Sequence, residues 1–195
     1  MKRIFDILFS FIVILCFFPL GLIISILIKL SSSGGIFYSQ IRIGKNGVPF
    51  KILKFRSMKI NSDHSHKLTI GMKDPRITKI GYFIRKYKLD EFPQFINVLI
   101  GNMSIVGPRP EVKEYVDRYS DEQSKILALK PGITDYASIE YIKENELLAA
   151  SSDPEKTYIE EIMPAKLKLN EKYLENQSLG HDIQIIWKTI KKVLK

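Results

Sequence analysis

Apolar side chains run almost without interruption across residues 4–30, where the only ionisable groups besides Cys16 are Asp6 and Lys29. A stretch of that length is long enough for a bilayer. Beyond it the pattern shortens and alternates. Ile36-Phe37-Tyr38-Ser39-Gln40 predicts a strand, Lys45-Asn46-Gly47 a turn with Gly47 free for a positive φ, and residues 49–59 a second strand. Phe50, Ile52 and, less regularly, Phe55 share one side of that strand; Lys54 and Arg56 have the same parity as each other. After the Asp74-Pro75-Arg76 turn, Ile77, Ile80, Phe83 and Ile84 fall at helical spacing. Asp90 is expected to open the next helix, with Pro93 in its first turn, Phe92, Phe95, Ile96 and Leu99 as its buried face, and Gly101-Asn102 as its stop. Residues 121–129 predict a helix ending before Lys130-Pro131-Gly132, and the chain turns helical again from Asp153-Pro154, with an interruption at Pro164. The last helix carries Ile183, Ile186, Trp187, Ile190 and Leu194 on one stripe, with Lys188, Lys191, Lys192 and Lys195 beside it. That pattern fits a helix lying in a membrane interface and equally one docked on a core.

Charge changes the picture. The chain of 195 residues carries a formal +9, of which residues 1–30 hold +2 and the remainder +7. A basic body behind an apolar N-terminus suits an anionic membrane face and phosphate-bearing substrates. No recognition helix, zinc finger or aromatic RNA-binding signature accompanies the charge, so nucleic acid is not expected as a partner. Cys16 stands alone, which rules out an intramolecular disulfide and a thiol–metal cluster.

The N-terminal segment has three readings. A secretory signal would need a core of ~7–15 residues, and this run is longer, with Asp6 near its start. A straight spanning helix would set Lys2-Arg3 and the basic body on opposite sides, leaving the positive-inside bias no winner. A re-entrant helix, bent at Pro19 where a hydrogen bond is lost, keeps both basic ends on one side.

The chemistry concentrates in Lys88-Leu89-Asp90-Glu91-Phe92-Pro93-Gln94, which follows the basic run Arg85-Lys86-Tyr87-Lys88, and in Gly107-Pro108-Arg109-Pro110. Adjacent carboxylates at a helix start can be simple caps. Beside cations they can also supply a nucleophile against an anionic centre. Two like carboxylates this close raise each other's pKa unless a metal or cations intervene, a reason to expect a divalent ion. His64 and His66 have metal-ligand spacing, but they sit in a polar, loop-like stretch with no third ligand nearby. Walker loops, dinucleotide glycine fingerprints and Ser/His/Asp or Cys/His catalytic sets are not found in the sequence.

These motifs occur in an order that resembles a known family. Lys2-Arg3-Ile4-Phe5-Asp6, Gln40-Ile41-Arg42-Ile43-Gly44-Lys45-Asn46-Gly47, Lys54-Phe55-Arg56-Ser57-Met58, Asp74-Pro75-Arg76, Leu89-Asp90-Glu91, Pro93-Gln94, Gly101-Asn102-Met103-Ser104, Val106-Gly107-Pro108-Arg109-Pro110 and Pro131-Gly132-Ile133-Thr134 together look like the bacterial sugar transferases, the monotopic phosphoglycosyl transferases. The resemblance implies an α+β fold with a re-entrant membrane helix (1–30) and a cytoplasmic catalytic domain (31–195). That domain would be small and helix-rich, with a short antiparallel sheet and amphipathic C-terminal helices at the interface. It implies a minimal form of the family at the cytoplasmic face of a bacterial inner membrane. The implied reaction passes a sugar 1-phosphate from a UDP-sugar to undecaprenyl phosphate through an aspartyl-phosphosugar, with release of UMP. Asp90 would be the nucleophile, Asp90 and Glu91 would hold Mg²⁺, and Lys54, Arg56, Arg76, Arg85 and Arg109 would bind the phosphates. Two departures stand out: Phe18 replaces the serine common before the proline, and Asp135-Tyr136-Ala137-Ser138 replaces the usual glycine after Gly-Ile-Thr, so the sugar cannot be carried over. A membrane-tethered scaffold for anionic lipids would explain the charge and the anchor but not the Asp90-Glu91/Pro108-Arg109-Pro110 arrangement. A hydrolase using the same carboxylates would release free sugar phosphate without lipid.

Overall fold

A computed structural model describes residues 1–60 and 74–193. His64, His66, Leu194 and Lys195 lie outside the described residues. The N-terminal helix α1 (Lys2–Ser31) is 30 residues long, with a mean hydropathy of 3.0 over its most apolar window, enough to cross a membrane. Its faces are inverted relative to a soluble helix. Asp6 is 2 % exposed and Ser10 is buried, while Leu15 is 64 % exposed among Phe11, Ile12, Phe18 and Leu22. With such a surface the chain is a membrane protein.

The inward side of α1 touches the body along its whole length. Lys2 Nζ pairs with Asp182 at 2.6 Å, Arg3 donates to the Val98 and Leu99 carbonyls, and Asp6 accepts from the Ser104 hydroxyl and the Ile105 N–H. Midway, the Phe17 and Phe92 rings lie 5.5 Å apart. At the far end Ile24 and Ile28 pack with Phe55 and Ile84. α1 is helical on both sides of Pro19 and through it. A proline inside a helix removes one donor, here toward the Leu15 carbonyl, and the Ser25 hydroxyl bonds back to Gly21 O at 2.7 Å one turn later, a local softening without an interruption.

Strands β1 (Phe37–Ile43) and β2 (Pro49–Phe55) form the expected antiparallel hairpin, with Phe37 opposite Phe55 and Ile43 opposite Pro49. Its turn puts Asn46 as well as Gly47 at positive φ. Helix α2 (Lys79–Lys86) is capped by Thr78, whose hydroxyl accepts from Gly81 N. Helix α3 (Gln94–Ile100) follows a 3₁₀ turn at Leu89–Glu91 and stops at Gly101, φ 97°. Its buried side corrects the expected one. Gln94, Asn97 and Val98 face inward, whereas Ile96 and Ile100 are exposed and Phe92, Phe95 and Leu99 are only half-buried. In α3 as in α1, large apolar side chains are exposed while polar ones are buried.

The remaining elements form a second layer. Parallel strands β3 (Ser104–Val106) and β4 (Gly132–Thr134) were not foreseen. Short helices α4 (Lys113–Val116) and α5 (Asp121–Ser124) precede β4, with a 3₁₀ turn at Lys125–Ala128. After it come α6 (Tyr136–Glu140), α7 (Glu144–Ala150) and α8 (Pro154–Thr157). A π-helical turn, Tyr158–Ile162, joins α8 to α9 (Met163–Glu175). The interruption expected at Pro164 takes this form: a proline cannot donate to the preceding turn, and the ladder widens there. Tyr115, Ile126, Leu148, Tyr158, Ile162, Met163 and Leu167 fill the core of this layer. In α10 (Leu179–Val193) the docked side is Asp182 and Ile185, while Ile183, Trp187 and Ile190 point outward with Lys191 Nζ 5.0 Å over the Trp187 ring. Of that stripe, Ile186 packs on the core, while the exposed Ile183, Trp187 and Ile190 with Lys191 have the pattern of an interface face.

Candidate active site

The carboxylate pair is delivered by a change of backbone course. Lys88 adopts a left-handed conformation, φ 56° and ψ 19°, which ends the α2 segment and starts the 3₁₀ turn carrying Asp90 and Glu91. Asp90, Pro93, Gln94, Asn97 and Val98 then form one buried stripe at i, i+3, i+4, i+7 and i+8. Asn97 locks this stripe to β2: its Oδ1 accepts from Leu53 N at 2.9 Å and its Nδ2 donates to Lys51 O at 2.8 Å. The next residue on β2, Lys54, reaches Glu91 Oε1 at 2.9 Å.

Arg109 arrives from the other side. β3 and β4 approach so closely that a Cβ on Gly132 would stand 2.1 Å from Gly107 N, and one on Gly107 2.2 Å from Lys130 O. Only glycine fits at both positions, and the chain leaves this contact directly into Pro108-Arg109-Pro110. The Arg109 N–H donates to Asp135 Oδ2 at 3.2 Å, while Asp135 Oδ1 caps α6 by accepting from Ser138 N at 2.6 Å. Thus anchored, Arg109 grips Glu91 with both terminal nitrogens, Nη1 to Oε2 at 3.1 Å and Nη2 to Oε1, the fork geometry of strong charge-assisted bonding.

The two carboxylates end in opposite states. Burial works to raise Glu91, but Arg109 and Lys54 outweigh it and hold the carboxyl well below its usual range. Asp90 is 6 % exposed and accepts no hydrogen bond among the described residues. Burial first, and then the Glu91 charge, push its pKa up against Lys54, Arg85 and Lys88. Lys54 is itself lowered by burial, with Glu91 pulling back. Glu91 is thus a saturated ion-pair partner, and Asp90 is a more basic carboxylate with its oxygens uncommitted.

The other expected phosphate ligands divide. Arg85 faces Ser57 Oγ at 3.4 Å and contributes its charge at Asp90. Arg76 forks onto Asp74. Arg56 is buried and spends its guanidinium on the end of α1, donating to Ser32 O at 2.9 Å and Ser33 O at 2.6 Å. It holds the membrane helix to β2, and its hydrogen bonds do not run toward the dyad. Sequence reasoning did not give the left-handed turn at Lys88, the Asp135 anchor of the Arg109 backbone or the buried network behind Arg109. There Glu111 accepts from Tyr158 at 2.5 Å and from Arg42 at 3.3 Å, and Lys166 pairs with Glu144 at 2.9 Å. The position of Glu111 directly after Pro-Arg-Pro was the one available signal.

No cluster of three or more His, Cys, Asp or Glu side chains suited to a metal occurs among the described residues. Mg²⁺ nevertheless takes one or two carboxylates and fills its remaining positions with water and phosphate oxygens. The uncommitted Asp90 oxygens beside Glu91 fit that smaller requirement.

Comparisons with known proteins identify the family. The family described as bacterial sugar transferase matches residues 1–195. A relative from Aeromonas hydrophila, UDP-N-acetylgalactosamine-undecaprenyl-phosphate N-acetylgalactosaminephosphotransferase, is 38% identical over 99% of this chain and 43% of its own length. The UDP-glucose:undecaprenyl-phosphate glucose-1-phosphate transferase of Escherichia coli (strain K12) is 36% identical over 98% of this chain and 40% of its own. The chain thus spans about two fifths of these two relatives. It spans 84% of the exopolysaccharide production protein ExoY of Rhizobium meliloti (strain 1021), at 35% identity over 98% of this chain. With the family matched from its first residue to its last, the chain belongs to the bacterial sugar transferases.

Proposed function

We propose that this chain is a phosphoglycosyl transferase that moves a sugar 1-phosphate from a UDP-sugar to undecaprenyl phosphate, with Asp90 as the nucleophile. The observation that carries this reading is the asymmetry of the dyad, with Glu91 held by Lys54 and Arg109 and Asp90 buried, uncommitted and raised in pKa. An Asp90 oxygen attacks the sugar-bearing phosphorus, and the bond from that phosphorus to the bridging oxygen breaks. UMP leaves with the electron pair. An oxygen of the lipid phosphate then attacks the same phosphorus and returns Asp90 to its carboxylate form, leaving a lipid diphosphate sugar. Arg109 and Lys54, fixed on Glu91 beside the reacting centre, stabilise the charge that builds on the phosphoryl oxygens. Mg²⁺, held by Asp90, whose oxygens the Glu91 ion pairs leave uncommitted, would supply neutralisation of the donor diphosphate.

The placement of α1 supports a re-entrant topology. Its first turn is bonded to Asp182, Val98 and Leu99, and its last to Arg56, all on one body. Both ends therefore lie on the same side, which for a nucleotide-sugar enzyme is the cytoplasmic face of the bacterial inner membrane. Tags at residues 1 and 195 should report one side, and opposite sides would remove this topology.

The test of function is UMP release from a panel of UDP-sugars, with and without undecaprenyl phosphate and with Mg²⁺ or a chelator. Lipid product from at least one donor is expected, with none from Asp90→Asn. Free sugar phosphate without lipid would make the chain a hydrolase, and no UMP from any donor would make it a scaffold.

A further inference from the structure

We infer that Gln94 is a positioning residue for Asp90: its carboxamide N–H donates to one carboxylate oxygen of Asp90 and leaves the other aimed at the phosphorus. The inference rests on the reading of Asp90 as nucleophile. Gln94 is 1 % exposed, and neither Nε2 nor Oε1 has a partner among the described residues. A buried polar atom left unpaired is costly, and folded proteins seldom keep one without a use. The contrast within the same helix is instructive. Asn97, one turn later on the same buried stripe, has both ends of its amide bonded to β2 and fastens α3 in place. Gln94 has the same chemistry, the same burial and no structural bond.

The complementary vacancy lies one turn earlier. Asp90 is buried on that stripe and accepts nothing, whereas Glu91 beside it receives Lys54 and both terminal nitrogens of Arg109. The cations that crowd the dyad therefore orient Glu91 and give Asp90 no hydrogen bond. Side chains at i and i+4 on a helical stripe stand about 5–6 Å apart at Cβ, a gap that the two methylenes of a glutamine can bridge and the single methylene of an asparagine cannot. A buried amide with no partner and a carboxylate that accepts nothing from the described residues, one turn apart on one face, make a pair that rotation of the side chains would close. Orientation of a nucleophile is worth having: displacement by about 1 Å can lower a rate by about 10²-fold.

The experiment uses the full chain in detergent or nanodiscs with Gln94→Met, Gln94→Asn and, as reference, Asp90→Asn. Thermal unfolding is measured without Mg²⁺, and UMP release is resolved into kcat and KM for the donor. Gln94→Met removes an unpaired amide at nearly constant volume, so Tm should hold or rise. Its kcat should fall by roughly 10- to 100-fold with the donor KM changed by less than about threefold. Gln94→Asn keeps the amide but not the reach, and should lose kcat to the same degree. A Tm that falls with activity lost only in proportion would make Gln94 a structural residue and overturn the inference. A raised KM at unchanged kcat would mean that Gln94 holds the donor, and overturns it too. Fully active Gln94→Met beside a dead Asp90→Asn removes this inference alone. Turnover by Asp90→Asn removes the functional reading and this inference with it.

Discussion

The layer made by α1 and α3 and the layer made by α4 through α9 are folded by opposite rules. In the first, Asp6, Ser10, Gln94 and Asn97 point inward while Leu15, Phe18, Ile96 and Ile100 point out. In the second, Tyr115, Leu148, Tyr158 and Leu167 are enclosed. The difference reflects the solvent each meets. Against lipid, an outward apolar side chain loses nothing, and the polar side chains turn toward the protein. Against water, apolar burial drives packing. The candidate site sits where the two layers meet. Asp90 and Glu91 come from the start of α3, Lys54 from β2, and Arg109 from the segment after β3, anchored by Asp135 at the cap of α6. The proposed reaction, which joins a water-soluble nucleotide sugar to a lipid phosphate, needs such a boundary.

The largest expected effect is at that boundary. Arg109→Ala should lower turnover by about 10² or more, the scale of one aimed electrostatic donor, with the fold kept because the guanidinium is a third exposed. A loss below threefold would reduce Arg109 to a strut. Next comes a direct contrast of the layers. Leu148→Ala, in the water-facing core, should cost about 2–5 kcal/mol of stability. Leu22→Ala, on the outward side of α1, should cost below about 0.5 kcal/mol in detergent and weaken membrane retention instead. Equal costs would mean that protein rather than lipid covers α1.

Asp6→Ala should lie between these, at about 1–3 kcal/mol, because the Ser104 hydroxyl and the Ile105 N–H lose their acceptor. A neutral result would show that polar contacts do not hold the inward face of α1. The smallest effect is one of pH. Burial works to raise the Glu111 carboxyl, but Lys166, Arg42 and the Tyr158 hydroxyl hold it below its usual 4.5. A carboxylate with a depressed folded pKa adds stability that is complete above its unfolded pKa and is lost as pH falls through the folded one. Glu111→Gln should therefore flatten the acid side of the stability profile and leave neutral activity within about threefold. An unchanged profile would remove Glu111 from the account.

What the sequence conveyed and what it withheld follow the same division. The hairpin β1–β2, the stop at Gly101 and the carboxylate pair were legible because they depend on local signals: alternation, a left-handed glycine, adjacent acids. The buried face of α3 was misassigned because a pattern of apolar positions does not say which solvent lies outside. Ile96 was placed in the core, yet it is exposed, as is Ile100. Arg56 shares the parity of Lys54 on the strand, but it lies one residue past the end of β2 and turns to the carbonyls of α1. Parallel strands β3 and β4 are three residues each, too short for periodicity to reveal. Only the long-range approach of Gly107 to Gly132 creates them. Asp135 stood out as a departure from the family pattern, and its bond to the Arg109 backbone became visible only in three dimensions.

The central claim is that Asp90, left uncommitted by a dyad whose other member is saturated, stores the sugar phosphate on the protein. The most direct measurement is peptide mass spectrometry of the chain incubated with an accepted UDP-sugar and Mg²⁺ in the absence of lipid. The account predicts UMP in solution and a phosphosugar adduct on the peptide carrying Asp90, with neither from Asp90→Asn. UMP that appears only when undecaprenyl phosphate is also present, with no adduct on that peptide, would contradict it and point to direct transfer between the two bound substrates.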